Sequence, residues 1–278
     1  METETLEKAR RDEKVRCLLE KKTAYTYEDL ITVVELLRSE GGCPWDMEQT
    51  HKSIRNDFIE ETYEVIEAID TENPVLLREE LGDVLLQVVF HARIEEEQGG
   101  FGMDEVANDI CAKLIHRHPH VFGTLKVENS AEVLINWDQI KGEEKQRVTM
   151  TDKLRAIPPM YPALMRAQKV GKKAACFDFE TTEAVYAKLD EEIAEVKAAA
   201  ASGNEEAVAE ELGDLLLTVT SLARKLGVKS EEALFHATNK FIDRFELVEN
   251  AVIAEGKQMD ELTMPELDAI WDTIKHKA

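Results

Sequence analysis

The segment EETYEVIEAI at 60–69 returns 131 residues later as EEIAEVKAAA at 191–200, and EELGDVLLQVVFHAR at 79–93 returns at the same offset as EELGDLLLTVTSLAR at 210–224. A shared offset means that the stretch joining the two segments has one length in both places, so each copy must space the same two elements alike. Weaker matches extend the correspondence: Lys113 and Arg117 align with Lys240 and Arg244, and WDQIK at 137–141 with WDTIK at 271–275. A chain of this kind folds as two versions of one unit.

Within each copy the apolar positions recur at three and four residues and β-branched alternation is scarce, which predicts an all-α fold. Breaks fall at Gly41-Gly42, Asn73-Pro74, Gly99-Gly100 and Pro119. The spacing predicts helices over 51–70 and 75–97 in the first copy and over 182–201 and 204–225 in the second. Pro158, Pro159 and Pro162 mark a linker between the copies. The expected organisation is a charged extension at 1–24, a helical domain at 25–148, a linker at 149–162 and a second helical domain at 163–278, each domain of ordinary size.

Charge narrows the partners. With 57 acidic against 34 basic side chains the formal net charge is −23, which opposes attachment to nucleic acid or to an anionic membrane. A polyanionic substrate would then need metal ions as mediators. Cys17, Cys43, Cys111 and Cys176 form no CxxC pair, so neither a zinc motif nor a redox motif is present and reduced thiols are expected. The charged first residues lack the apolar stretch of a signal peptide, and no apolar run reaches the roughly 20 residues of a membrane helix. A cytoplasmic location is expected.

The acids are placed in a repeating pattern. The first copy carries Glu60, Glu61 and Glu64 on one helix and Glu80 and Asp83 on the next; the second carries Glu191, Glu192, Glu195, Glu211 and Asp214. Spacings of three and four put such side chains on one helical face. For the helix around Glu60 to Glu67 an acidic face is what any solvated helix shows, opposite Phe58, Ile59, Val65, Ile66 and Ile69. The following helix differs, because Glu80, Asp83, Gln87 and His91 fall in a narrow strip among Leu81, Val84, Leu85, Leu86, Val88, Val89 and Phe90. That pattern predicts a central helix with its acids facing inward, and Glu211, Asp214 and Thr218 repeat it among leucines. Buried carboxylates without a cation are costly. Two such helices packed together direct four carboxylates into one space, and hard oxygen donors of this type suit Mg²⁺, with Mn²⁺ as a substitute.

These segments, together with GGCPWDMEQT at 41–50, RHPHVFG at 117–123, ENSAEVLINWDQIK at 128–141 and PALMRAQK at 162–169, resemble the MazG-type nucleoside triphosphate pyrophosphohydrolases, whose pattern is EExxE followed by ExxD. The resemblance covers nearly the whole chain after the extension. It implies a tandem pair of helical bundle domains completed into four-helix cores by homodimerisation. It also implies Mg²⁺-dependent hydrolysis of ribo- and deoxynucleoside triphosphates to the monophosphate and pyrophosphate.

Carried onto this sequence, the resemblance places metal ligands at Glu192, Glu195, Glu211 and Asp214, with first-copy equivalents at Glu61, Glu64, Glu80 and Asp83. Glu191 and Glu60 would support the ligands or orient water. Nucleotide contacts fall on Lys188, Leu189, Asp190, Ala207, Val208, Ala209, Glu210, Lys240, Arg244 and Trp271. One segment departs from the family: Cys176-Phe177-Asp178-Phe179 stands where the family has a glycine and a tryptophan around GFDW. A ferritin-like di-metal bundle would need two ExxH motifs on core helices, and only Glu48 to His51 has that spacing. Lys188 against Asp57 at the same offset makes the second copy the expected principal site, since a cation there meets a phosphate and an acid repels one.

Overall fold

The computed structural model describes residues 2–22, 24–144 and 149–275. The domain boundary expected at 148 and the last three residues lie outside them. All regular structure among the described residues is helical. The chain divides into two compact units, Met1–Lys141 and Gly142–Ala278.

In the first unit the order is α1 (Glu2–Lys21), α2 (Tyr27–Leu37), α3 (Pro44–Glu48), α4 (Arg55–Asp70), α5 (Pro74–Glu97), α6 (Met103–Arg117) and α7 (Pro119–Phe122), with α8 (Ser130–Glu144) running across the division. The second unit holds α9 (Met150–Arg155), α10 (Ala163–Lys173), α11 (Thr182–Ser202), α12 (Glu205–Lys225), α13 (Ser230–Ala254) and α14 (Met264–Lys275). The proline-rich stretch between the copies thus includes a helix, α9, whose N-cap Thr149 and Asp152 form a reciprocal capping box. The charged first residues are also helical.

Each unit is built on one helical hairpin, α4–α5 or α11–α12. The two hairpin turns have the same construction. Glu72 and Gly203, at equivalent positions, both take the left-handed conformation, with φ of 51° and 72°. The next residue is an asparagine in both copies. Asn73 Oδ1 accepts from Val75 and Leu76 N–H at 3.1 and 3.2 Å, and Asn204 Oδ1 from Glu206 and Ala207 N–H at 3.1 and 3.3 Å. Each cap satisfies orphan donors of the second helix, a contribution of about 1 kcal/mol, and sets where the ExxD acids begin.

The core of the first unit gathers Val34 of α2, Ile54, and Val89, Phe90 and Ile94 of α5, with Leu30, Ile31, Leu86 and Met103 packed around them. Arg38 closes one side. Its buried guanidinium pairs with Glu97 at 2.8 Å, donates to the carbonyls of Asp46 and Gln49, and lies 5.1 Å over the Phe90 ring. In the second unit Val185, Ala199, Val248 and Val252 are buried together with Thr218, Thr220 and Ser230. There α10 is tied to the α12–α13 corner: Gln168 Nε2 donates to Val228 O at 2.6 Å, and its Oε1 accepts from Ser230 N–H at 3.1 Å.

Part of the apolar surface of each hairpin is open within its own unit. Leu81 and Leu85 on α5, Ile66 and Ile69 on α4, and Leu212, Leu216, Leu217 and Val219 on α12 are all exposed. The hairpins bury one apolar face and leave another open, because one pair of helices cannot cover a helix that is apolar over most of its circumference.

Candidate active site

The hairpins bring acids from consecutive helices together twice. One carboxylate oxygen from each of Glu61, Glu64 and Glu80 lies within 4.8 Å of the other two, and the same holds for Glu192, Glu195 and Glu211. These are the clusters of potential metal ligands among the described residues; His116, His118 and His120 form none. Asp83 and Asp214, the fourth acids of each expected set, stand outside that radius. One turn further along their helices, they act on the clusters through charge: Asp83 disfavours ionisation of Glu61 and Glu80, and Asp214 that of Glu211.

Electrostatics distinguishes the clusters. In the first unit Glu80 is 8% exposed, and burial, a hydrogen bond with Glu64 and the nearby charges of Glu64, Asp83 and Glu79 raise its pKa. A hydrogen bond between two carboxyl groups needs a proton on one of them. Glu61 is raised as well, mainly by burial and then by Asp83 and Glu64.

In the second unit the deeply placed acid is Glu192, 4% exposed, and a cation reaches it. Lys188, one turn earlier on α11, puts Nζ 2.8 Å from Glu191 Oε1 and 2.9 Å from Glu192 Oε1. Those two contacts, Glu191 first, hold the ammonium above its usual pKa. The other oxygen of Glu192 is buried and has no hydrogen-bond partner. Glu211 is raised by burial first and then by Glu195, Asp214 and Glu192.

The remaining expected contacts are distributed around this cluster. Leu189 is half-buried and Asp190 exposed on α11; Ala207 and Val208 are half-buried, and Ala209 and Glu210 exposed, in the first turns of α12. Lys240 and Arg244 lie one turn apart on α13 and enter no ion pair among the described residues. Trp271 on α14 is half-buried, its ring 5.3 Å from Phe241. In the first unit the matching residues are packed differently: Arg117 is buried with its guanidinium 5.3 Å over the Trp137 ring, and Lys141 stands 5.1 Å over the same ring.

Two constellations were not visible in the sequence. Asp178, in the segment that departs from the family, receives Arg224 at 2.5 and 2.8 Å and Lys225 at 3.1 Å, which pulls its pKa down to about 2. That anchor fixes the loop while Phe177 is 94% exposed. The second is a contact between His51 and His91. Both pairs join residues far apart in sequence, where periodicity carries no signal.

The MazG nucleotide pyrophosphohydrolase domain matches twice, over residues 49–122 and 180–248, and each match contains one complete acid cluster. The chain belongs to this family. It is 41% identical to the Nucleoside triphosphate pyrophosphohydrolase/pyrophosphatase MazG of Thermotoga maritima, over 92% of this chain and 98% of that protein. It is 44% identical to the Nucleoside triphosphate pyrophosphohydrolase of Escherichia coli K12, over 89% and 96%. The uncharacterized protein YabN of Bacillus subtilis is 38% identical over 92% of this chain and 53% of its own length. No helix among the described residues is long and apolar enough to cross a membrane.

Proposed function

We infer that this chain hydrolyses nucleoside triphosphates to the monophosphate and pyrophosphate, accepts both ribo- and deoxynucleotides, and depends on Mg²⁺, with Mn²⁺ able to replace it. Family membership supports the reaction. The observation that carries the metal is the buried Glu192 carboxylate, which has one oxygen on Lys188 and the other without a partner, beside Glu195 and Glu211. A hard, all-oxygen donor set with an orphaned buried atom fits a divalent cation of this class. Glu192, Glu195, Glu211 and Asp214 would hold it in the second unit, and Glu61, Glu64, Glu80 and Asp83 in the first. When bound, the ion supplies neutralisation of the phosphate charge and a lowered pKa for attacking water.

The chain's own residues then have definite tasks. Lys188 is positioned to move from Glu191 and Glu192 to a phosphate oxygen. Lys240 and Arg244, free of ion pairs among the described residues, offer a point charge and a planar fork to further phosphate oxygens. Glu191, exposed at the rim, orients water once Lys188 leaves it. The second unit is the principal site. Homodimerisation covers the open faces of α5 and α12, where Leu81, Leu85, Leu212, Leu216 and Val219 stand exposed. The setting is cytoplasmic.

The test is turnover of a panel of NTPs and dNTPs by the pure protein with products separated. Monophosphate and pyrophosphate are expected, abolished by EDTA and restored by Mg²⁺; NDP and orthophosphate, or full activity in excess chelator, would refute the reading.

A further inference from the structure

The contact between His51 and His91 takes no part in the chemistry above. His51 lies in the turn leading into α4, His91 on α5, and their Nδ1 atoms are 2.7 Å apart. The ring planes are within 2° of parallel and the centroids 5.0 Å apart. Stacked rings are held apart by their thickness and cannot bring two nitrogens that close, so the rings lie nearly in one plane, nitrogen facing nitrogen. This is an in-line N–H···N hydrogen bond: one ring donates and the other accepts, and the contact holds a single proton.

On its far side His51 has Nε2 3.0 Å from Glu95 Oε1, off-line for a hydrogen bond but within ion-pair range. Glu95 is one turn beyond His91 on α5, so carboxylate and two imidazoles form a chain from the turn to the helix. Of the other charged groups nearby, Arg38, the C-cap of α2, donates to Gln49 O at 3.1 Å, two residues ahead of His51, and is paired with Glu97. Arg93 on α5 is paired with Glu96 and Glu97, while Lys52 follows His51 and Arg55 opens α4. From α4 itself Phe58 approaches His91, ring centroids 5.7 Å apart. Burial first, and then the neighbouring His51, hold the His91 pKa below its usual value. The second unit has Leu222 at the position of His91 and lacks the pair.

We propose that His51 and His91 form a proton-operated latch that fastens the entry of α4 to α5 in the first unit. With one proton in the contact the latch is closed; a second proton sets two N–H donors head to head and opens it. Since His91 in this contact resists protonation that a free histidine accepts, the latch is firm above the ordinary histidine value of 6.5 and weakens as pH falls through it. The released turn runs directly into the helix that carries Glu61 and Glu64.

Two measurements on the full chain test this. Hydrogen-exchange protection of the Ile54 and Phe58 amides, which bond to Thr50 O and Ile54 O, is expected to fall about tenfold per pH unit below that value, after correction for intrinsic rates. The same protection should be flat with pH in His91→Leu, the residue that the second unit uses. A flat wild-type profile, or an identical slope in the variant, overturns the latch. Imidazole ¹⁵N spectra of the wild type stand independently of whether the variant folds: one shared proton persisting well below the ordinary histidine range is expected, and two rings titrating separately at their ordinary value overturn it.

Discussion

The two acid clusters use the same residue types at the same spacing and differ in what balances their charge. In the first unit Glu80 is buried beside Glu64, with Asp83 and Glu79 also raising its pKa, and Asp57 stands where the second unit has Lys188. In the second unit Lys188 spans Glu191 and Glu192 and leaves one buried oxygen unpartnered. Under the proposed function a lysine one turn before the acids is a cation that a metal can displace, and the displaced ammonium is then placed to meet a phosphate. The copies therefore share an acid set, and the exchange of Asp57 for Lys188 changes the charge beside it.

The strongest way to break that comparison is by turnover. Glu192→Gln with Glu195→Gln is expected to lower NTP hydrolysis by more than about 100-fold, while Glu61→Gln with Glu64→Gln leaves most of it, both variants first checked for helicity by circular dichroism. Equal losses, or a larger loss from the first-unit pair, would place the principal site in the wrong copy.

How far the sequence reaches can be judged on the same residues. The shared offset of the repeat, the Asn73-Pro74 and Asn204 turns and the acid faces are local patterns, so they are readable from the order of residues alone. Periodicity also shows that α5 and α12 are apolar over most of their surface, but not whether the cover for Leu81 or Leu212 comes from this chain or from elsewhere. Spacing alone groups Asp83 with Glu80 and Asp214 with Glu211, but which acids bring an oxygen into the closest cluster depends on how the two helices pack. The His51–His91 and Asp178–Arg224 contacts depend on which loops return to which helix. The helices α3, α7 and α9 are too short to show a period, and α1 is charged on most sides.

Metal-free stability sharpens the comparison at Lys188. Lys188→Met leaves Glu192, 4% exposed, without its cation, and the metal-free protein is expected to lose stability. Saturating Mg²⁺ should narrow the gap, since the ion replaces the missing charge. Chemical denaturation with and without Mg²⁺ measures both quantities, and a gap that stays constant would show that Lys188 and the metal do not share Glu192.

The proton in the first unit gives a smaller effect of opposite sign. The folded chain holds the Glu80 proton more tightly than the unfolded chain does, so this group stabilises the fold below the ordinary glutamate value of 4.5. That contribution is lost as pH rises through the folded value. Glu80→Gln keeps a hydrogen-bonding partner for Glu64 without the charge. It should raise the Tm of the metal-free protein at neutral pH and leave it nearly unchanged well below 4.5; a Tm lowered at neutral pH would mean that Glu80 is held there as a needed anion.

The smallest expected effect lies in the hairpin turns, where the copies share a backbone but not a residue. Gly203 takes φ of 72° as the C-cap of α11, and a Cβ built there meets nothing within 4 Å. Gly203→Ala therefore meets no steric obstacle, only the left-handed conformation that an L-residue disfavours, and should cost about 0.5–1 kcal/mol. Glu72 already bears that strain with φ of 51°, and its negative charge sits at the C-terminal end of α4, where the helix dipole is also negative. Glu72→Gly relieves both and loses part of the gain to the greater freedom of glycine in the unfolded chain, for a net stabilisation of about 0.5 kcal/mol. Denaturant titration of the two variants should show shifts of opposite sign. Shifts of the same sign would mean that the turns are not equivalent, and that the spacing of the acid clusters is held by different contacts in the two copies.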